Sequence, residues 1–171
     1  MNLYLDFDGV IADTITVTYK MIEELGIDIR DSDKVRDFYI NLNWFDLLND
    51  ANQINNSVEC IKQLQKSNLY YLSILTTVHS NDEVIAKNRY IERNNLQIPI
   101  IAVPVGKSKD EVVDAKGAIL VDDFNGNLYS WEKAGGIAVK FSNKSSDKFN
   151  TISSLSELNN EVFVKKLVKN R

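Results

Sequence analysis

Residues 3–10 read LYLDFDGV, and this short stretch decides the fold because it joins an apolar strand to two carboxylates. The residues before Asp6 have the length and composition of a buried parallel strand. Gly9 allows the chain to turn directly after the acids. A carboxylate buried at a strand end is costly unless it is paired, hydrogen-bonded or bound to a metal ion. The stretch therefore predicts a strand whose carboxyl end presents Asp6 and Asp8 for chemistry.

Similar apolar runs recur along the chain, with helical segments between most of them. The predicted strands are Leu3–Asp6, Tyr71–Leu75, Ile98–Val103, Ala118–Val121 and Ile137–Phe141. A Ser-x-x-Glu capping pattern predicts helix starts at Ser80, Ser108 and Ser154, the last opening a helix near 155–169. The alternation predicts an α/β protein with a Rossmann-like three-layer α/β/α arrangement around a parallel sheet.

One interval breaks this alternation, because more than sixty residues separate the first two predicted strands. Helices are predicted at Thr14–Leu25, in two pieces over Asp31–Asn49, and at Ser57–Lys66. We interpret residues 16–55 as a small helical cap and residues 1–15 with 56–171 as the α/β core domain. The cap contains four aromatic residues, Phe38, Tyr39, Trp44 and Phe45. They either form a core of the cap or face a substrate, and the sequence leaves both interpretations open.

Two further predicted strands end in polar groups. Thr76 and Thr77 follow the second strand, and Asp122 and Asp123 follow the fourth. The carboxyl ends of parallel strands meet at one edge of the sheet, where open α/β sheets bind their ligands. We therefore expect these side chains and the first acid pair to surround one pocket.

A cation is expected beside these acids. Lys107 and Lys109 flank Ser108, the predicted N-cap, and Lys107 is favoured because it lies in the loop before the helix. The helix N-terminus itself attracts anions. Hard carboxylate oxygens suit Mg²⁺, whereas no cluster of histidine and cysteine predicts a zinc site. The expected Mg²⁺ ligands are Asp6, the backbone carbonyl of Asp8 and Asp122, while Asp123 binds through water or orients Asp122.

Composition excludes several classes of protein. The 171 residues carry a formal net charge of −4, so no basic field attracts extended nucleic acid. Cys60 is the single cysteine, which excludes a disulfide framework within the chain and fits a reducing compartment. The sequence shows no signal-peptide pattern and no apolar run of about 18 residues, the length that predicts a membrane span. We expect a cytoplasmic protein with no membrane partner.

The order of these elements resembles the haloacid dehalogenase (HAD) superfamily of phosphatases over nearly the whole chain. The matching features are Asp-x-Asp-Gly-Val after a strand, a threonine after the next, a loop lysine, and an Asp-Asp pair after a later strand. The resemblance implies a sheet in the order 3-2-1-4-5. It also implies that Asp6 attacks phosphorus, that Asp8 protonates the leaving oxygen and later activates water, and that Mg²⁺ is the cofactor. The implied substrate-binding residues are Thr76, Thr77 and Lys107.

A second resemblance concerns the substrate. Residues 55–64, the run Ile74–Thr77 and the segment Lys87–Ile91 are similar to a stretch of the 5'(3')-deoxyribonucleotidases, although Asn55-Asn56-Ser57 departs from their usual Pro-Gly-Ala. This resemblance implies a small phosphorylated metabolite as partner, with a nucleoside monophosphate as the leading candidate. A sugar phosphate, a nucleic-acid 3'-phosphate end and a non-catalytic binding role stay open as alternatives.

Overall fold

A six-stranded parallel sheet forms the centre of the computed structural model, which describes residues 1–169. The strands are β1 (Asn2–Leu5), β2 (Tyr71–Val78), β3 (Ile100–Pro104), β4 (Ile119–Asp122), β5 (Ile137–Phe141) and β6 (Asn150–Ile152). Their spatial order is β3-β2-β1-β4-β5-β6. This confirms the predicted class and the predicted order of five strands. The sixth strand was not predicted, because three residues reading NTI are too short and too polar to signal one.

Seven α-helices connect and flank these strands in the described part of the chain. They are α1 (Thr14–Glu24), α2 (Ser32–Asn41), α3 (Trp44–Asp50), α4 (Ser57–Ser67), α5 (Asn81–Arg93), α6 (Asn125–Lys133) and α7 (Glu161–Lys169). The α-helix predicted to start at Ser108 is wrong, because Ser108 caps only the short 3₁₀ turn Lys109–Glu111. The helix predicted near 155–169 is wrong as a single element. A 3₁₀ segment ends at Asn159, and the Asn160 side chain then accepts hydrogen bonds from Val162 and Phe163 N–H and starts α7 anew.

The two faces of the sheet bury separate apolar clusters. Leu3 and Leu5 of β1 join the larger cluster, whereas Tyr4 between them joins the cluster on the other face, beside Trp131 of α6. This alternation is the pattern of a strand that is covered on both sides. The sheet is therefore rigid around β1, the strand that delivers the first acid pair.

Residues 16–55 contribute α1, α2 and α3 above one part of the sheet. Trp44 and Leu48 of α3 belong to the larger sheet cluster, and Arg93 of α5 donates hydrogen bonds to Leu48 O and Asn49 Oδ1. In contrast, α2 has no buried residue. The division into a core domain and a small helical cap over residues 16–55 stays a prediction. No helix among the described residues combines the length and hydrophobicity needed to cross a bilayer.

Candidate active site

Two neighbouring strands bring three carboxylates together at the carboxyl edge of the sheet. Leu5 of β1 pairs with Val121 of β4, and Asp6 N–H donates to Val121 O at 2.9 Å, so Asp6 lies beside the end of β4. One carboxylate oxygen from each of Asp6, Asp122 and Asp123 lies within 4.8 Å of the others. Sequence reasoning placed these acids at one edge, and the structure places them there.

The cation in this cluster is Lys109. Its Nζ lies 2.9 Å from Asp6 Oδ1 and 2.6 Å from Asp122 Oδ2, and its side chain is buried. The expectation that Lys107 fills this role is wrong, because Lys107 is exposed. Ser108 caps the 3₁₀ turn, as predicted. The lysine that reaches the acids is Lys109, the first residue of that turn, and not Lys107 in the loop before it.

Asp122 is held by more than the lysine. Its Oδ2 also accepts a hydrogen bond from Asn127 Nδ2 at 2.9 Å, and its Oδ1 accepts from Phe124 N–H at 2.8 Å. Lys140 of β5 donates to the backbone carbonyl of Asp123. These contacts hold the loop after β4 in place, so both aspartates have a defined position before any ligand binds.

The three carboxylates of Asp6, Asp122 and Asp123 carry more negative charge than Lys109 balances. Burial, together with the nearby Asp122 and Asp8 carboxylates, raises the pKa of Asp6 to about 7, although Lys109 opposes the shift. Burial and the neighbouring Asp122 raise the pKa of Asp123 to about 6. A hard divalent cation relieves such a surplus, and the donors here are all carboxylate oxygens, so Asp6, Asp122 and Asp123 fit a Mg²⁺ site.

Asp8 lies in a different environment, although only one residue separates it from Asp6. Its Oδ1 accepts from Thr14 Oγ1 at 2.7 Å, and its Oδ2 lies 3.2 Å from Thr76 Oγ1 and 2.5 Å from Lys87 Nζ. Burial alone raises the pKa of Asp8, but the Lys87 ammonium and these hydrogen bonds together hold it below its ordinary value.

Lys87 was not predicted as a site residue. It is completely buried, and besides Asp8 it pairs with Glu83 Oε1 at 2.7 Å. The sequence carries a signal that would have found it. Glu83 and Lys87 are four residues apart on one helical face, and that face also presents the apolar Ala86 and Tyr90. A charged pair on an otherwise apolar face indicates burial with partners.

A cavity of about 450 Å³ opens beside these groups. Asp6, Asp8, Asp123 and Asn127 line its floor, and aromatic rings of Tyr39, Trp44 and His79 line its wall. The Tyr39 and His79 rings are stacked, with centroids 4.8 Å apart and planes inclined by 19°. Thus Tyr39 and Trp44, two of the four cap aromatics left open above, face the cavity.

The two threonines at the end of β2 do not play the same part. Thr77 lines the cavity, as expected for a substrate contact. Thr76 is completely buried and its hydroxyl donates to Asp8, so it does not border the cavity. The structure therefore assigns Thr76 to the support of Asp8, and this corrects its predicted role as a substrate contact.

No protein-family model matches this chain, and no curated protein matches its sequence. Its structure is nevertheless similar to many solved structures. A phosphonoacetaldehyde hydrolase-like protein from Oleispira antarctica superposes with a TM-score of 0.67 at 12% identity, covering 99% of this chain and 94% of that one.

Two further solved structures extend this picture. A HAD-superfamily hydrolase from Ehrlichia chaffeensis gives a TM-score of 0.57 at 14% identity, over 98% of this chain and 97% of that one. The β-phosphoglucomutase of Clostridium difficile gives 0.59 at 14% identity, over 99% and 97%. At such identities these similarities establish the fold.

Proposed function

We propose that this chain, whose fold is that of the HAD-superfamily hydrolases, is a Mg²⁺-dependent phosphomonoester hydrolase that acts through an aspartyl-phosphate intermediate. The observation that carries the proposal is the convergence of Asp6, Asp122, Asp123 and Lys109, of which Asp6 and Asp123 line a cavity that Asp8 also lines. One carboxylate is thereby available for attack, and a second acid stands next to it for proton transfer.

The reaction takes two steps. An oxygen of Asp6 attacks phosphorus and forms a P–O bond, while the bond from phosphorus to the leaving oxygen breaks and its electron pair stays on that oxygen. Asp8, whose pKa rises when the phosphate dianion binds beside it, supplies the proton that makes the leaving group an alcohol. Water then attacks the same phosphorus, the bond to Asp6 breaks, and Asp8 takes the proton of the water. The net reaction consumes one phosphate ester and one water and yields an alcohol and inorganic phosphate.

The remaining groups of the site manage charge and position. Asp6, Asp122 and Asp123 would hold Mg²⁺, which supplies charge neutralisation for the phosphoryl oxygens when it is bound. The backbone carbonyl of Asp8 is a further proposed ligand. Lys109 separates Asp6 from Asp122 and reduces the repulsion that an incoming phosphate dianion meets. Thr77 at the cavity wall would donate to a phosphoryl oxygen.

Nucleoside monophosphates are the substrates that we propose first. Three aromatic side chains lie on this side of the cavity, with the Tyr39 ring stacked on those of His79 and Trp44, and a planar base can pack beside them. A phosphosugar is the second candidate, since the structurally similar protein from Clostridium difficile is named as a phosphoglucomutase.

A panel of phosphomonoesters, assayed with Mg²⁺ and with EDTA, tests the proposal. Asp6→Asn, purified in parallel, controls for contaminating phosphatases. We expect Mg²⁺-dependent release of phosphate that is fastest with a nucleoside monophosphate and absent in the variant. Preference for a phosphosugar would transfer the assignment to the second candidate. No turnover of any ester would refute catalysis and leave a binding protein with this fold.

A further inference from the structure

Lys87 sits at the centre of a buried polar network that the two-step reaction described above does not use. Its Nζ lies 2.5 Å from Asp8 Oδ2, 2.7 Å from Glu83 Oε1, 3.0 Å from Thr76 Oγ1 and 3.3 Å from Thr77 O. The side chain is completely buried and does not line the cavity. Any influence of Lys87 on a substrate therefore passes through one of these neighbours.

The surroundings of Lys87 keep its ammonium group in one place. The rings of Phe7 and Trp44 each have their centroid 5.2 Å from Nζ and exclude water from that side. Glu83, behind the lysine, is itself held by His79, whose backbone N–H donates at 2.8 Å and whose Nδ1 lies 3.3 Å away. A buried cation with two carboxylate partners and this many fixed neighbours has little freedom to move.

The contacts of Asp8 show what this rigidity does. Thr14 engages Oδ1, and Lys87 with Thr76 engages Oδ2, so both carboxylate oxygens have donors and the plane of the group is determined. A proton-transfer group must lie within hydrogen-bond reach of its target in a defined direction. A free aspartate side chain would sample several rotamers at this position.

We infer that Lys87, held by Glu83, is a positioning residue that aims the Asp8 carboxylate at the leaving oxygen of the substrate. This inference rests on the proposed phosphomonoester hydrolysis. It adds a second lysine to the site, with a task different from that of Lys109. Lys87 acts through Asp8 on protonation of the leaving oxygen, whereas loss of a contact to the phosphate would lower kcat/KM on esters with good and poor leaving groups alike.

Hydrolysis of two aryl phosphate esters of nearly equal size distinguishes a positioning role of Lys87 from a merely structural one. p-Nitrophenyl phosphate releases a stable anion that needs little protonation, whereas phenyl phosphate releases a much more basic oxygen. In Lys87→Met we expect kcat/KM, which covers only the steps up to release of the alcohol, to fall by about 10²-fold on phenyl phosphate and by at least about tenfold less on p-nitrophenyl phosphate, because aimed proton donation contributes about 10²–10⁴-fold. Hydrolysis of the intermediate is the same step for both esters, so the comparison is made on kcat/KM and not on kcat. Lys66→Met, on the exposed end of α4, is the matched control and should behave as the unmodified chain.

Glu83→Gln carries the test if Lys87→Met does not fold. It keeps the shape beside the lysine, removes the negative charge and replaces one acceptor oxygen by an N–H donor, which weakens the hold on Lys87, so we expect the same selective loss on phenyl phosphate, at about tenfold. Equal losses on both esters would overturn the inference and make the network structural. A relative gain on phenyl phosphate would also overturn it, because Lys87 would then act by charge on the acidity of Asp8. If the unmodified chain hydrolyses neither ester nor any other phosphomonoester, the proposed function itself falls and this inference falls with it.

Discussion

Two buried lysines, each between two carboxylates, divide the site into corners that differ in charge balance. Lys109 lies between Asp6 and Asp122, and Lys87 lies between Asp8 and Glu83. At the Lys109 corner a third carboxylate is close by, and the pKa of the attacking acid is raised. At the Lys87 corner two hydroxyl groups add to the lysine, and the pKa of the acid is lowered.

The difference indicates which corner is complete without a ligand. In the Lys87 corner every carboxylate oxygen of Asp8 and Glu83 has a donor, so this corner serves as a rigid support. The Lys109 corner has more negative charge than its lysine balances, so it is arranged to accept a further cation. The two buried lysines thus have different roles, and the number of carboxylates and donors around each lysine determines which role it has.

The largest expected effect comes from removing the nucleophile. Asp6→Asn should lower kcat by at least about 10⁴-fold. The variant should still fold. The pKa of Asp6 in the folded state, about 7, lies above the ordinary value of 3.8, so ionised Asp6 opposes folding increasingly as the pH rises through that interval. Without Mg²⁺ at pH 8, the variant should therefore melt at the same temperature as the unmodified chain or higher. A loss of less than tenfold in kcat would contradict the assignment, and the exposed Asp147→Asn is the control.

The next effect separates the two candidate lysines of the loop. Lys109→Met leaves Asp6 and Asp122 buried without their cation, which typically costs about 3–5 kcal/mol of folding stability. Activity should fall by more than about 10²-fold, a loss typical of removing one electrostatic contact to the reacting group. The exposed Lys107→Met should change stability by less than about 0.5 kcal/mol. Chemical denaturation and steady-state kinetics measure both quantities, and the reverse ranking of the two variants would refute the Lys109 assignment.

A metal titration tests the proposal that Mg²⁺ binds at the Lys109 corner and not at the Lys87 corner. Mg²⁺ should raise the melting temperature of the unmodified chain, because a ligand that binds only the folded state stabilises it. Asp123→Asn should weaken Mg²⁺ binding by about tenfold or more. Asp8→Asn should keep most of the Mg²⁺ response, since that carboxylate faces Lys87 and Thr14. If Asp8→Asn abolishes the response and Asp123→Asn keeps it, the roles of the corners are reversed.

The smallest effect distinguishes the two adjacent threonines. Thr77→Val removes a hydroxyl from the cavity wall and should raise KM by about 2–12-fold, the value of one hydrogen bond of about 0.5–1.5 kcal/mol. Thr76→Val removes a donor to Asp8, so it should lower kcat and leave KM nearly unchanged. Kinetics on one substrate suffice, and a KM effect confined to Thr76→Val would contradict the geometry.

Sequence reasoning reached the parts of this site that strand ends determine. Asp6, Asp122 and Thr77 follow apolar runs, and parallel strands must bring such ends to one edge, so their meeting was predictable. The lysine was harder, because its identity depends on the rotation of a turn. A 3₁₀ turn aims its first residue at the site, and a capping pattern does not fix that direction.

The Lys87 corner was missed for another reason. Its polar partners come from the loop after β1, from β2 and from α5, so no local sequence pattern groups them. Only the Glu83–Lys87 spacing on an apolar face was visible in the sequence. Likewise, β6 is too short to carry a strand period, and the Asn160 cap that splits the last helix competes with a continuous apolar pattern.

Chemical trapping of the intermediate tests the central claim most directly. The protein is mixed with Mg²⁺ and its best phosphomonoester, quenched during turnover, and treated with borohydride, which reduces an aspartyl phosphate to homoserine. Peptide mass spectrometry then locates the reduced residue. The account predicts homoserine at position 6, present only when both substrate and Mg²⁺ are present. Reduction at another aspartate, or continued turnover with no reduced residue, would contradict Asp6 as the nucleophile.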